Sequence, residues 1–101
     1  MEHFNKLTPA EAERLALLLE ELGEAQQVIG KILRHGYDSY HPQGNDTNRE
    51  LLENEIGDVM AAVQMMTDAG DMDRVMIESE KTDKLERVGE WLHHAPAPAA
   101  P

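Results

Sequence analysis

Two short acidic segments carry the residues of this chain that are best suited to chemistry. The segments are Glu20-Glu21-Leu22-Gly23-Glu24 and Glu55-Ile56-Gly57-Asp58. In a helix, this spacing places carboxylates one turn apart on the same side. Ligand sets made only of oxygen select hard divalent cations such as Mg²⁺ or Mn²⁺ over zinc or copper. The spacing therefore predicts a magnesium site, at which Mn²⁺ could substitute, built by two helices.

The helices that would position these acids have clear starts. A capping box of Thr8 and Glu11, with Pro9 at the first helical position, begins a first helix that Gly36 ends. A second capping box, formed by the segment 47–50, begins the helix that carries the second acidic segment. The first helix is predicted to carry one apolar stripe, formed by Leu15, Leu18, Leu19, Leu22, Ala25, Ile29, Ile32 and Leu33.

On a helical projection, the acids of the second helix do not all point to water. Glu55 falls in the middle of the apolar arc, Asp58 lies at its edge, and Glu53 points away. A charged carboxylate on a buried face is unfavourable unless it is paired or bound to a metal. The alternative is that the acids form a solvated helix face and that Glu55 pairs with one Lys or Arg. The presence of two acidic segments favours the metal.

The rest of the chain completes an all-α domain, predicted to span residues 1–94. Residues 37–46 show no periodicity and are predicted to form a loop. In and beside this loop, the side chains of His35, Tyr37, Tyr40, His41 and Asn45 could stack on or hydrogen-bond to the base of a ligand, although such residues are more often ordinary turn and packing residues. A third helix is predicted from about Met72 to His94. An interruption of this helix in its polar centre is an open alternative. Residues 95–101, APAPAAP, are predicted to form a Pro/Ala-rich disordered tail.

Composition narrows the class of protein. Twenty acidic and nine basic residues give a net charge of −11, which argues against nucleic-acid binding. The absence of cysteine excludes disulfides and thiolate metal sites. No stretch approaches the ~20 apolar residues of a membrane span and no signal pattern begins the chain, so we predict a cytoplasmic protein, in the host cytoplasm if the chain is viral. A chain of 101 residues buries limited surface, so self-association as a homodimer or homotetramer is expected.

The two acidic segments resemble the motif pair of the MazG-like, all-α nucleoside triphosphate pyrophosphohydrolases, in which Glu-Glu-x-x-Glu on one helix is followed by Glu-x-x-Asp on the next. The resemblance covers about Thr8 to His94 and looks most like the small phage-type members, which share runs similar to residues 31–36, 48–53 and the final His93-His94. The spacer between the motifs is somewhat longer than in the compact members. The resemblance implies a helical bundle that oligomerisation completes.

The resemblance also implies a role for each acid. Glu21, Glu24, Glu55 and Asp58 would be the metal ligands. Glu20 or Glu24 would be the catalytic base, and the residues do not decide between them. The candidate substrate-binding cations are Lys31, Arg34, Lys81 and Lys84. For the first two, a role as solubilising charges near a helix end is an equally good interpretation.

The implied reaction is Mg²⁺-dependent hydrolysis of a nucleoside triphosphate, with dGTP, dUTP or dCTP as candidate substrates, to the monophosphate and pyrophosphate. A phosphoribosyl-ATP pyrophosphatase is an alternative within the same fold. An alternative from another class is a non-catalytic acidic helical adaptor or regulator.

Overall fold

The computed structural model describes residues 4–40 and 42–94, so the predicted tail at 95–101 lies outside the described residues. The described chain forms α1 (Pro9–His35), α2 (Asn48–Asp68), α3 (Arg74–Arg87) and a 3₁₀ turn (Val88–Glu90). The described residues contain no strand, only an isolated antiparallel bridge between Tyr40 and Thr47. The predicted all-α class is confirmed.

Both predicted capping boxes are present. The Thr8 hydroxyl accepts the Glu11 N–H at 3.1 Å, while the Glu11 carboxylate accepts the Thr8 N–H at 2.8 Å. Thr47 and Glu50 repeat the exchange at 3.2 and 3.3 Å at the start of α2. Gly36 follows α1 with φ at 88°, in the region that glycine adopts most easily. These local signals fix where α1 and α2 begin and where α1 ends.

Helices α1 and α2 form an antiparallel hairpin joined by the loop at 36–47. Their facing residues recur at alternating spacings of three and four, the pattern of a coiled-coil seam. On α1 this inner seam runs through Leu18, Glu21, Ala25, Val28 and Ile32; on α2 it runs through Asn48, Leu52, Glu55, Val59, Ala62 and Met66. The most buried apolar side chains, Ala25, Val28, Ala62 and Met66, all belong to it. The seam therefore buries one glutamate from each helix near its centre.

The prediction of a single apolar stripe on α1 is wrong in one respect, because the stripe divides into two. Leu15, Leu19, Leu22, Ile29 and Leu33 are exposed, and they recur at spacings of four, three, seven and four residues. At about 100° per residue, this second set lies about 90° around α1 from the inner seam. Ile56 and Met60 continue it on the same side of α2, where both are also exposed. We call these seven residues the outer apolar face.

The third helix is shorter than predicted. The Asp73 carboxylate accepts the Val75 N–H at 2.8 Å, so α3 begins at Arg74 rather than near Met72. It ends at Arg87 rather than at His94, and the 3₁₀ turn that follows contains Gly89. The open alternative of a break does not occur, and an ion pair of 2.7 Å between Lys81 and Glu78 lies across that stretch.

Two contacts hold the ends of the hairpin. At one end, Arg14 of α1 makes a bidentate pair with Asp71, which follows α2, at 2.6 and 3.0 Å. At the other end, the side-chain amide of Asn48 donates to the Gly36 carbonyl at 3.1 Å. Helix α3 lies beyond these contacts and contains no buried residue. None of the described helices combines the length and the apolar run that crossing a bilayer requires.

Candidate metal centre

The hairpin seam brings the four predicted ligands together. Glu21 and Glu55 occupy facing seam positions, and Glu24 and Asp58 each follow by one turn on the same side of the hairpin. One carboxylate oxygen from each of the four lies within 4.8 Å of the others. Residues more than thirty positions apart in sequence thus form one acidic cluster. Helical geometry places its open side opposite the outer apolar face.

Burial makes this cluster different from an ordinary acidic surface. Glu21, Glu24 and Glu55 are half-buried, and only Asp58 is exposed. One carboxylate oxygen of Glu21 and one of Glu55 are buried, and neither has a hydrogen-bond partner among the described residues. Such atoms are rare in folded proteins, because removing a charged oxygen from water without replacing its hydrogen bonds is strongly unfavourable. The two oxygens therefore point to a missing partner.

The electrostatics of the cluster agree with this interpretation. Burial raises the pKa of Glu21, and the negative charges of Glu24 and Asp58 raise it further. Burial is also the largest cause of the raised pKa of Glu55, followed by its contact with Glu24 and by the charges of Glu24 and Asp58. Without a cation, the two central carboxyls therefore resist ionisation more than free glutamate does.

The counter-charge is not supplied by the chain itself within residues 4–40 and 42–94. Arg14, Arg49 and Arg74 pair with Asp71, Asp38 and Asp68 respectively, while Lys81 and Arg87 pair with glutamates of α3. None of these ion pairs involves a member of the cluster. The alternative in which Glu55 pairs with one Lys or Arg is therefore not what the described residues show.

The donor set fits a hard divalent cation. Mg²⁺ binds oxygen at about 2.0–2.1 Å and Ca²⁺ at about 2.3–2.6 Å, so ligand oxygens on opposite sides of one ion lie roughly 4–5 Å apart. The 4.8 Å span of the cluster matches that separation. Four protein oxygens also leave coordination positions for water or for a ligand's oxygens. Glu21, Glu24, Glu55 and Asp58 could therefore hold one or more Mg²⁺ or Mn²⁺ ions.

The structure places the other predicted site residues at varying distance from this cluster. Glu20 is exposed on α1, one turn before Glu24, and is not among the four clustered acids. Lys31 and Arg34 line a cavity of about 400 Å³ beneath the 36–47 loop. Lys81 and Lys84 line a separate open cleft of about 550 Å³ along α3. Of the four predicted substrate-binding cations, then, only Lys31 and Arg34 belong to the hairpin that carries the cluster.

Sequence reasoning identified half of the residues that line the loop cavity. The sequence predicts ligand contacts from Lys31, Arg34, His35 and Tyr40, but it gives no such prediction for Ser39, Pro42, Asn48 and Leu51. A signal was present, because Lys31 follows Glu24 by seven residues and Leu51 precedes Asp58 by seven. Seven residues bring a helix back to nearly the same side. The cavity and the acidic cluster therefore open on the same side of the hairpin.

No family model matches this sequence, and neither the curated proteins nor the solved structures provide a match.

Proposed function

We propose that this protein is a Mg²⁺-dependent nucleoside triphosphate pyrophosphohydrolase of the MazG-like, all-α type, which converts a nucleoside or deoxynucleoside triphosphate to the monophosphate and pyrophosphate in the cytoplasm. One observation carries the proposal. The buried oxygens of Glu21 and Glu55 have no hydrogen-bond partner and lie in an acidic cluster that no cation of the described residues neutralises.

The proposed substrate class is anionic, because bound divalent cations would make this acidic cluster attractive to anions. A chain with a net charge of −11 repels anions in general. Bound divalent cations invert the local field, so the same place attracts anionic oxygen ligands such as a polyphosphate. An acidic chain can therefore bind a triphosphate at this one site, while the rest of its surface disfavours nucleic acid.

In the proposed reaction, Glu21, Glu24, Glu55 and Asp58 hold the cation. When bound, Mg²⁺ neutralises charge that develops on the phosphate oxygens and lowers the pKa of a bound water. Glu24, or Glu20 one turn before it, accepts the proton of the water that attacks the α-phosphorus. The bond between the α-phosphorus and the bridging oxygen breaks, and pyrophosphate leaves with that oxygen.

The cations of the chain complete the proposed substrate contacts. Lys31 lies on the same side of α1 as Glu24, about 10 Å further along the helix, where its long side chain can reach a phosphate. Arg34 extends this positive edge toward the loop. Lys81 and Lys84 remain predicted phosphate contacts, and they lie on α3, which has no buried residue within the chain.

We also propose that the outer apolar face packs against a second copy. Leu15, Leu19 and Leu22 are exposed beside the inner seam, and two such hairpins stacked face to face would form a four-helix bundle. Leu19→Glu should convert a homodimer or homotetramer to smaller species in sedimentation equilibrium. Gln27→Glu adds a charge on the outward side of α1 and should leave the assembly intact. A wild-type chain that sediments as a monomer would refute this part of the proposal.

The decisive experiment measures pyrophosphate release from a panel of nucleoside and deoxynucleoside triphosphates at fixed Mg²⁺, with and without EDTA. Glu55→Gln keeps the shape of the side chain but removes its charge, so it should lower the rate by at least about a hundredfold. Glu53→Gln makes the same change two residues earlier on the exposed side of α2, and should retain full activity.

The panel also separates the alternatives. Cleavage of phosphoribosyl-ATP in preference to triphosphates would indicate the related pyrophosphatase of the same fold. No release from any substrate, with helical circular dichroism intact, would contradict the enzymatic proposal and favour a non-catalytic acidic module.

A further inference from the structure

The cavity beneath the 36–47 loop is built from both helices of the hairpin. Its volume is about 400 Å³, toward the lower end of the roughly 300–1,000 Å³ typical of small-molecule pockets. Lys31, Arg34 and His35 form the α1 wall, Tyr40 belongs to the loop, and Asn48 and Leu51 form the α2 wall.

The loop that covers this cavity is held in place by its own hydrogen bonds. The backbone N–H groups of Asn48 and Arg49 donate to the carbonyls of Ser39 and Tyr37 at 2.8 and 2.9 Å. The Asn48 side chain, only 5% exposed, ties the start of α2 to Gly36. The Arg49 guanidinium lies 4.5 Å from the ring centre of Tyr37, and neither residue lines the cavity. The cavity is therefore preformed.

Its position relates it directly to the acidic cluster. Seven residues separate Lys31 from Glu24 and Leu51 from Asp58, which corresponds to about 10 Å along each helix on the same side. This length is comparable to the span from the α-phosphate of a nucleotide to the far edge of its base. A nucleotide whose α-phosphate lies at the cluster could thus extend its base into the cavity.

The walls match a nucleoside better than a phosphate tail. Tyr40 offers a ring and Arg34 a guanidinium plane, and both kinds of group stack on nucleobases. The Ser39 hydroxyl and the His35 imidazole can exchange hydrogen bonds with base edges. A pyrophosphate group would instead leave the Tyr40 ring and Leu51 facing a charged ligand, with cations on the α1 side only.

We propose that this loop cavity is the nucleoside subsite, where Tyr40 and Arg34 stack on the base and Ser39 and His35 contact its edge. Lys31, at the end of the cavity nearest Glu24, then lies beside the sugar and the α-phosphate. The direction of the substrate rests on the proposed function. The cavity itself does not, because its walls are defined without any metal.

The test uses the 101-residue chain in EDTA and ligands without a phosphate, because the acidic cluster repels phosphate when it holds no cation. Uncharged nucleosides carrying each of the common bases are titrated into ¹⁵N-labelled protein, and inorganic pyrophosphate serves as the comparison ligand. At least one nucleoside should shift the backbone amides of residues 36–40 and 48–51, and pyrophosphate should not.

Matched variants identify the stacking residue. Tyr40→Leu should raise the Kd of the preferred nucleoside by about tenfold, as expected for the loss of one stacking contact. Tyr40→Phe keeps the ring and should restore wild-type affinity. Tyr37→Leu removes the neighbouring loop tyrosine, which packs against Arg49 instead, and should change the Kd by less than about twofold.

Three results would overturn the inference: pyrophosphate shifting the same amides in place of the nucleosides, the two leucine variants weakening binding equally, or no nucleoside binding at all. The pyrophosphate-release panel remains independent of this test. Activity without nucleoside binding in the cavity would refute only the subsite, and binding without activity would refute only the hydrolase.

Discussion

Arg14 and Glu21 lie seven residues apart on the same face of α1, and each lies among partly buried charged side chains. The charges around Arg14 are paired, whereas those around Glu21 are not. Arg14 and Asp71, with side chains 21% and 13% exposed, form a two-pronged ion pair that satisfies both groups. Glu21 meets Glu24, Glu55 and Asp58, all of the same sign, and one of its oxygens has no hydrogen-bond partner. The hairpin thus contains one completed charge pair at its end and one incomplete cluster in its inner seam.

The effects on pKa are opposite in the two places. The hydrogen bonds from Arg14 lower the pKa of Asp71, because they stabilise its charged form. Burial and neighbouring acids raise the pKa of Glu21 and Glu55. This hairpin therefore accommodates partly buried charge when the charge is paired. No described residue supplies the pairing charge for the acidic cluster, which is consistent with the proposed cation.

Breaking the completed pair should have the largest effect on stability. Arg14→Met keeps much of the apolar stem but leaves the Asp71 carboxylate without its partner, so the melting temperature should fall by roughly 5–10 °C. Arg74→Met removes the arginine of an exposed pair with Asp68, 3.4 Å apart, and should lower it by no more than about 2 °C. Equal losses in the two variants, measured by thermal circular dichroism, would contradict the contrast drawn between these pairs.

Removing a charge from the incomplete cluster should have the opposite sign. Without metal at neutral pH, Glu55→Gln relieves repulsion and the desolvation of a charge, so the melting temperature should rise by about 2–5 °C. Adding Mg²⁺ should stabilise the wild type and affect this variant less, since a ligand that binds only the folded state shifts the folding equilibrium. Glu53→Gln, on the exposed side of α2, should match the wild type in both measurements. A variant less stable than the wild type in EDTA would show that the cluster is not under electrostatic strain.

Local features of this protein could be predicted from sequence with good accuracy. The capping boxes at Thr8 and Thr47 need only residues three positions apart, and they fix both helix starts. The projection of Glu55 onto the apolar arc of α2 likewise uses only helical geometry, and the structure places this residue half-buried at the seam. Spacing alone places Glu24 one turn after both Glu20 and Glu21, so the choice of Glu21, Glu24, Glu55 and Asp58 as the four ligands comes from the resemblance to the MazG-like family.

Features that depend on tertiary packing could not be predicted in the same way. Arg14 and Asp71 are 57 positions apart, and neither belongs to a recognisable motif. The division of the α1 stripe into an inner seam and an outer apolar face depends on which side α2 covers. The cavity lined by Tyr40 and Leu51 exists only because the loop folds back over both helices. The sequence predicts the helical spacing of the apolar residues. Which of them are buried depends on the side of α1 against which α2 packs.

The smallest expected effect is in the pH dependence of stability, where the two sets of charges act in opposite directions. Glu21 and Glu55 have raised pKa values in the folded chain, so in EDTA the folded state binds protons more tightly than the unfolded state. Lowering the pH from about 7 toward about 5 should therefore raise the free energy of unfolding. Asp71 has a lowered pKa, so its stabilising contribution is complete above its unfolded-state pKa and is lost as the pH falls through the folded-state value. Below about pH 4 the free energy of unfolding should fall again.

Urea denaturation in EDTA across about pH 3 to 8 would measure this profile. The double variant Glu21→Gln, Glu55→Gln should lose the increase between about pH 7 and 5, because neither side chain then titrates, yet it should keep the loss at lower pH. Arg14→Met should show the reverse, since Asp71 then lacks the partner that lowers its pKa. Wild-type stability that rises steadily from about pH 5 to 7 in EDTA would mean that the two glutamates ionise as freely as exposed ones, and the acidic cluster would then need no cation to complete it.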